Sequence, residues 1–353
     1  MSVVTATGTD REGHTTQATA SFTVAVDGNW WDRPADASNT GYKHAPGYTG
    51  TLKPGPAASQ LVAGATYTGL DIPSVNYIIG VDNVKFVGCR FHGASPQNAN
   101  VILKCNNPTF SYCTFEPNVP FTPGVKVTEA QSYQYSISSG GGYGSHVTGL
   151  TMDHCDMWGF GNAVETVGNG PFLFDHCWLH DPCVDPAAQY HTDGIGYLNG
   201  IAGQGIQNME IRYCTIESDG NTNGIACQQG YYQNLNIHHN YFGGWGFTVA
   251  IWSGSTNITF TDNVFSTEMN CIWGALYGTN FMTYKPGSTW ARNRWHSKNP
   301  ATGGPLGWGT PTHDGLFWYY TPGADISGNT PPVTQTDDSI FISRTDYPVF
   351  TAP

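Results

Sequence analysis

The chain has 353 residues, of which 44 are glycine, 22 are proline and 13% are aromatic, a composition suited to many short strands joined by turns. Charged residues make up only 11% and the formal net charge is −12, which excludes the clustered lysine and arginine that a nucleic-acid partner needs. No apolar run reaches the roughly 18 residues of a membrane span, so no membrane insertion is expected, and the opening SVVTATGTDREG lacks a basic-then-apolar leader.

Residues 1–27 alternate Thr, Ala and Val around a central DREGH turn, which predicts a β-hairpin. The hairpin is similar to the last two strands of an immunoglobulin-like domain. Residues 28–69 are rich in Gly, Pro and aromatic residues and are expected to form an irregular stretch leading to a cap over the first rung of a repeat array that begins near residue 70.

Residues 70–330 carry a repeated frame, apolar-x-apolar-x-x-Cys-x-apolar. It places Cys89, Cys113, Cys155, Cys177 and Cys214 at one equivalent position, and Asn240, Asn263 and Asn293 at that position further on. The spacing runs from 22 to 42 residues, which is the mark of a solenoid. A second strand recurs between these, starting at Asn100, Asn162, Asp193, Asn223, Phe247 and Asn270. Two residues after each start stand Ile102, Val164, Ile195, Ile225, Val249 and Ile272. This β-branched column is the expected inward face, because strand side chains alternate between faces. Two such ladders predict an all-β chain wound as a right-handed parallel β-helix. The longest gap holds SISSGGGYGSHV, read either as one extra rung or as a loop. The nine cysteines are an odd number, and equivalent positions in neighbouring rungs, about 4.8 Å apart, lack the opposed geometry of a disulfide, so they are expected to be buried thiols. Residues 331–353 are expected to form a C-terminal cap or arm.

Candidate chemistry falls at two places. Asp193 sits in YHTDG, a string similar to the Asn-Thr-Asp-Gly motif of polygalacturonases, whose Asp is a general acid. The other signatures of that family have no counterpart here. Asp193 also occupies the column of Asn100, Asn162, Asn223 and Asn270, where short polar side chains cap a bend. With His191, Asp181 and Asp185 on the preceding loop, and Glu165 in the outward column, it forms the candidate catalytic set for a polysaccharide lyase or glycoside hydrolase. Asp193 and Glu165 lie on opposite faces by parity, which disfavours them as a carboxylate pair. His176, Cys177, His180 and Cys183 have the residue types of a metal site. A strand cannot turn His176 and Cys177 the same way, so no metal and no cofactor is expected. The second place is the outward column Leu103, Glu165, Gly196, Ala226, Ala250 and Trp273, continued two residues on by Cys105, Val167, Leu198, Gln228, Trp252 and Ala275. It is a flat, partly aromatic strip with Glu165 as its one acid, and it suits either sugar stacking, with Trp252, Trp273, Gln228 and Tyr197 as contacts, or a subunit interface.

The strings WWDRPADASNTGYKHAPGYTG (30–50), FVGCRFHG (86–93), FSYCTFEP (110–117), DHCDMWGFGNAVE (153–165), HTDGIG (191–196) and DGNTNGIACQ (219–228) carry a resemblance to the β-helix minor tail and tailspike-like proteins of actinobacterial phages. It covers residues 28 to about 320. The resemblance implies a virion tail component that is extracellular, forms a homotrimer beside other tail proteins, and binds a host envelope polysaccharide, in some relatives with cleavage of the glycan.

Overall fold

The computed structural model describes residues 2–9, 15–22, 34–139, 147–166, 168–183, 192–197, 206–218, 220, 222–227, 232–251, 255–266, 274–276, 289–291, 294–297 and 340–343. Ser2–Thr9 and Thr15–Phe22 pair antiparallel as a hairpin. Every other strand pair among the described residues is parallel and joins one turn of a right-handed β-helix to the next.

Among the described residues, each turn from Thr66 to Leu276 contributes a strand to each of three sheets. One turn, for example, runs through Thr109–Ser111 in sheet 1, Thr114–Pro117 in sheet 2 and Tyr133–Ser138 in sheet 3. The repeated Cys frame therefore spans two sheets, not one strand. Its bend lies at the residue before the Cys or Asn, which has positive φ in Gly88, Tyr112, His154, His176, Tyr213, His239 and Asp262. A left-handed residue redirects the backbone sharply at each of these corners. Stacking the corners stacks their side chains: the rings of Tyr112, His154, His176 and Tyr213 succeed one another at 4.6, 4.6 and 5.0 Å.

The described Cys and Asn side chains just inside the corner are closed to solvent, and those of Cys89, Cys113, Cys155, Asn240 and Asn263 share one function. Cys113 and Cys155 donate S–H to the carbonyls of Phe86 and Phe110 one turn back, at 3.5 and 3.4 Å. Asn240 and Asn263 donate from Nδ2 to Ile211 and Ile237 in the same way, at 2.9 Å each. The Asn side chain also accepts, so the Cys214 amide donates to Asn240 Oδ1 at 2.9 Å. Burial pushes the thiols of Cys113, Cys155, Cys177 and Cys214 far up, which leaves them protonated and inert.

The core is one continuous column of apolar side chains from all three sheets. In sheet 3 its register runs Tyr77, Val101, Ile137, Val164, Ile195, Ile225 and Val249, with Leu276 next in line. Two expectations are corrected here. Val101, not Ile102, is the inward residue, because Ile102 pairs level with Ser138 and Glu165 on the opposite face. Leu276, not Ile272, stands one turn beyond Val249. The longest gap is also resolved: it holds an ordinary turn whose sheet 3 strand is Tyr133–Ser138, preceded by a long connection from Pro117.

Residues 34–48 run along the side of the solenoid. The Ala35 amide donates to Thr215 Oγ1, that of Gly41 to the His154 carbonyl, and that of Tyr42 to Thr114 Oγ1. This strap crosses several turns at the corner between sheets 1 and 2. The first turn is closed instead by the strand Lys53–Pro54 and the short helix Ala58–Gln60, with Leu61 in the core.

Candidate active site in a cleft on sheet 2

On each sheet 2 strand the first and third residues after the Cys point away from the core. They form two adjacent columns: Asp71, Arg90, Thr114, Asp156, Trp178 and Thr215 in one, and His92, Glu116, Trp158, His180 and Glu217 beside it. A cavity of about 380 Å³ opens over the middle of this face. Arg90, Thr114, Glu116, Asp156, Trp158, Trp178 and His180 make its floor. The strap from Ala37 to His44 makes one wall, and Pro120 and Phe121 make the other.

Both walls are anchored. Gly41 adopts φ 78, and a Cβ there would lie 2.5 Å from Thr114 Oγ1, so only glycine lets the strap lie this close to the floor. The opposite wall belongs to the long connection between Pro117 and Tyr133, which is held by a small apolar cluster of Val127, Trp158 and Cys183 with Val119 against it. Phe121 packs edge-on against Trp158 and His180, at 5.1 and 5.5 Å, and remains 40% exposed.

The polar groups form one linked network. Arg90 pairs with Glu116 through Nε and with Asp71 at 3.5 Å, and Asp71 lies 3.3 Å from His92 Nε2. The other Glu116 oxygen accepts from Trp158 Nε1 at 3.1 Å. His180 is buried between two carboxylates, with Nε2 3.0 Å from Asp156 and Nδ1 2.7 Å from Asp181. Burial pulls the pKa of His180 down, but Asp156 and Asp181 outweigh it and hold the imidazole above its ordinary value of 6.5. The hydrogen bond from His180 brings Asp181 below the usual carboxylate range, aided by Lys126 at 3.4 Å. One face of the Trp178 ring stacks on His180, and its Nε1 donates to Glu217 at 3.4 Å. The cleft thus offers half-exposed aromatic surface on Tyr42, Phe121 and Trp178, next to fixed carboxylates and an arginine.

Of the expected catalytic residues that the structure describes, Asp181 stands behind the cleft floor, where it orients His180. Asp193 is 2% exposed and belongs to a bend-capping chain: its amide donates to Asn162 Oδ1 at 3.1 Å, and its Oδ1 accepts from the Asn223 amide at 2.9 Å and from Asn223 Nδ2 at 2.8 Å. Glu165 is 3% exposed and accepts from Ser138 Oγ at 3.0 Å. His191 and Asp185 lie outside the described residues. So do Gln228, Trp252 and Trp273, while Tyr197 ends the strand Asp193–Tyr197. The rest of the outward strip is not an open surface: Ile102, Ser138, Glu165, Ala226 and Ala250 are all buried. Leu103, expected in that strip, is in the core.

The four residues with metal-site chemistry separate as well. Cys177 is in the core, His176 in the corner stack, His180 in the cleft and Cys183 in the small cluster. Among the described residues no group of three or more His, Cys, Asp or Glu is arranged to hold a metal ion. Arg90, Glu116, Asp156, Trp158 and Trp178 belong to no motif and are not among the candidates that the sequence suggests. Their signal is present, since each stands one or three residues after a repeated Cys, where a strand directs side chains outward.

A family model described as a right handed beta helix region matches residues 64–265, more than half of the chain. No curated protein and no solved structure matches.

Proposed function

The chain belongs to the right-handed β-helix family, a fold consistent with polysaccharide-binding and depolymerase proteins, and on that footing we propose that it binds a cell-envelope polysaccharide in the sheet 2 cleft. The observation that carries this reading is the combination in one cavity of about 380 Å³ of partly exposed Tyr42, Phe121 and Trp178 with Arg90, Glu116 and Asp156. Sugar rings lay their C–H faces on aromatic rings, while their hydroxyl pairs bond to carboxylates and guanidinium groups. The likeness of residues 28 to about 320 to phage minor tail proteins supports a finer setting: an extracellular virion tail component, trimeric and neighbouring other tail proteins, that meets a host envelope glycan. A glycan array of actinobacterial envelope polysaccharides, probed with the wild type and with Trp178→Ala, tests the reading. Binding that weakens about tenfold or more in the variant is expected for a lost stacking contact, and an array with no binding at all would remove the proposal.

A second reading, glycan cleavage, is favoured by one feature of the same cleft. Asp156 is level with Thr114, so Glu116 lies one strand over and two residues along, with Cα atoms about 8 Å apart. Two outward carboxylates on adjacent strands of one cleft are the pair of groups that a glycoside hydrolase uses. Release of reducing ends that disappears in both Glu116→Gln and Asp156→Asn supports cleavage; binding without product leaves the protein an adhesin.

A further inference from the structure

We propose that His238 and His239 form a two-nitrogen chelate for a late first-row divalent metal ion such as Ni2+ or Zn2+. The pair lies where the sheet 1 strand Gln233–His238 meets its corner, two turns beyond the strand Trp178–His180 of the cleft. His239 takes the left-handed corner conformation, φ 57, and this turns its ring back toward its neighbour. The two Nδ1 atoms are 2.8 Å apart. Two imidazole nitrogens bound to one metal at about 2.0–2.1 Å are separated by about 2.9 Å at a right angle and about 3.4 Å in a tetrahedron. The spacing therefore matches a chelate once both rings turn so that their Nδ1 lone pairs meet on one side of the line between them.

The surroundings set the tautomer that such a chelate requires. Glu210 Oε1 lies 3.0 Å from His238 Nε2, so the proton stays on Nε2 and the Nδ1 lone pair faces His239. Without metal, His239 donates its Nδ1 proton into that lone pair; with metal, the His239 proton moves to Nε2 and both Nδ1 atoms coordinate. Arg212 fixes Glu210 through Nη1 at 3.1 Å and is itself held by Asp175, so this cation is balanced by two carboxylates. The Tyr213 ring packs 5.2 Å from His239 and 6.2 Å from His238, which holds both rings in place. Imidazole nitrogen selects late transition metals over Mg2+ or Ca2+, which prefer oxygen.

Isothermal titration of the untagged full chain with NiCl2, ZnCl2 and MgCl2 tests the site. One equivalent of Ni2+ or Zn2+ and no Mg2+ is expected. Binding should fall by at least about tenfold in His238→Asn and in His239→Asn, the latter keeping a residue that accepts a left-handed corner, and by about tenfold in Glu210→Gln, which removes only the outer partner. The Glu210 variant leaves both ligands and the fold in place, so it decides the matter if an Asn variant melts early. Absence of Ni2+ and Zn2+ binding, or undiminished binding in all three variants, overturns the proposal.

Discussion

Cys214 and Asn240 stand at successive rungs of one column, and each keeps a buried backbone group from losing its partner. The thiol does this weakly, while the carboxamide both donates to Ile211 and accepts from the Cys214 amide. Replacing Asn240 by Ala strands both groups in the core, which should cost roughly 3 kcal/mol, whereas Asn240→Cys should cost about 1 kcal/mol. Urea unfolding of the two variants checks this order, and equal losses would show that the column is packing alone. His180 makes the second prediction at this scale. Its pKa is raised in the folded state, so its contribution to stability is complete below about pH 6.5 and is lost as pH rises through the folded value. The wild-type urea midpoint should therefore fall across the pH range above 6.5 more steeply than that of His180→Gln; parallel curves would mean that Asp156 and Asp181 do not hold the charge. Asp175 behaves in the opposite sense. Burial would raise it, but His176 and Arg212 bring it to about 2, so it stays ionised throughout that range.

At the scale of elements, the strand repeats are legible in the sequence and the corners are not. Apolar alternation marks both strands that flank each Cys, but Tyr carries no local signal for positive φ and His only a weak one, so the frame reads as one strand where the structure has two. The one-residue slip at Ile102 has a similar origin: Val101, Ile102 and Leu103 are all apolar, and only pairing with Ile137 decides which faces inward. The strand Tyr133–Ser138 is hidden because YQYSIS departs from the Asn-led pattern of its neighbours. The strap lies beyond sequence reasoning altogether, since it is held by single amides on Thr215, His154 and Thr114 far along the chain. Gly41→Ala puts a methyl group where φ is 78 and against Thr114 Oγ1, a local cost of about 2 kcal/mol. Limited proteolysis should then cut within residues 34–48 faster than in the wild type while the core strands remain protected. Unchanged cleavage would show that the strap is held elsewhere.

For the molecule as a whole, a solenoid turns a linear repeat into continuous surfaces, and function depends on which surface stays open. Sequence register singles out the face of sheet 3 that carries Glu165, Ala226 and Ala250, yet those residues are buried. The open cleft is on sheet 2, built from one or two residues on each of several turns and closed by a segment from before the first turn. No contiguous motif marks such a site, which is why the sequence offers Asp181 among catalytic candidates and His180 among metal-type residues, without their partners Asp156, Glu116 and Arg90. The bend-capping role of Asp193, by contrast, is readable from its Asn column and is what its bonds to Asn162 and Asn223 perform. Hydrogen–deuterium exchange with and without the tightest-binding envelope oligosaccharide tests the location of the site most directly. Added protection is expected in residues 114–126, 156–158 and 178–181 and in the strap 37–44. Protection confined to the segments around Gln228, Trp252 and Trp273, with the cleft unchanged, would contradict it.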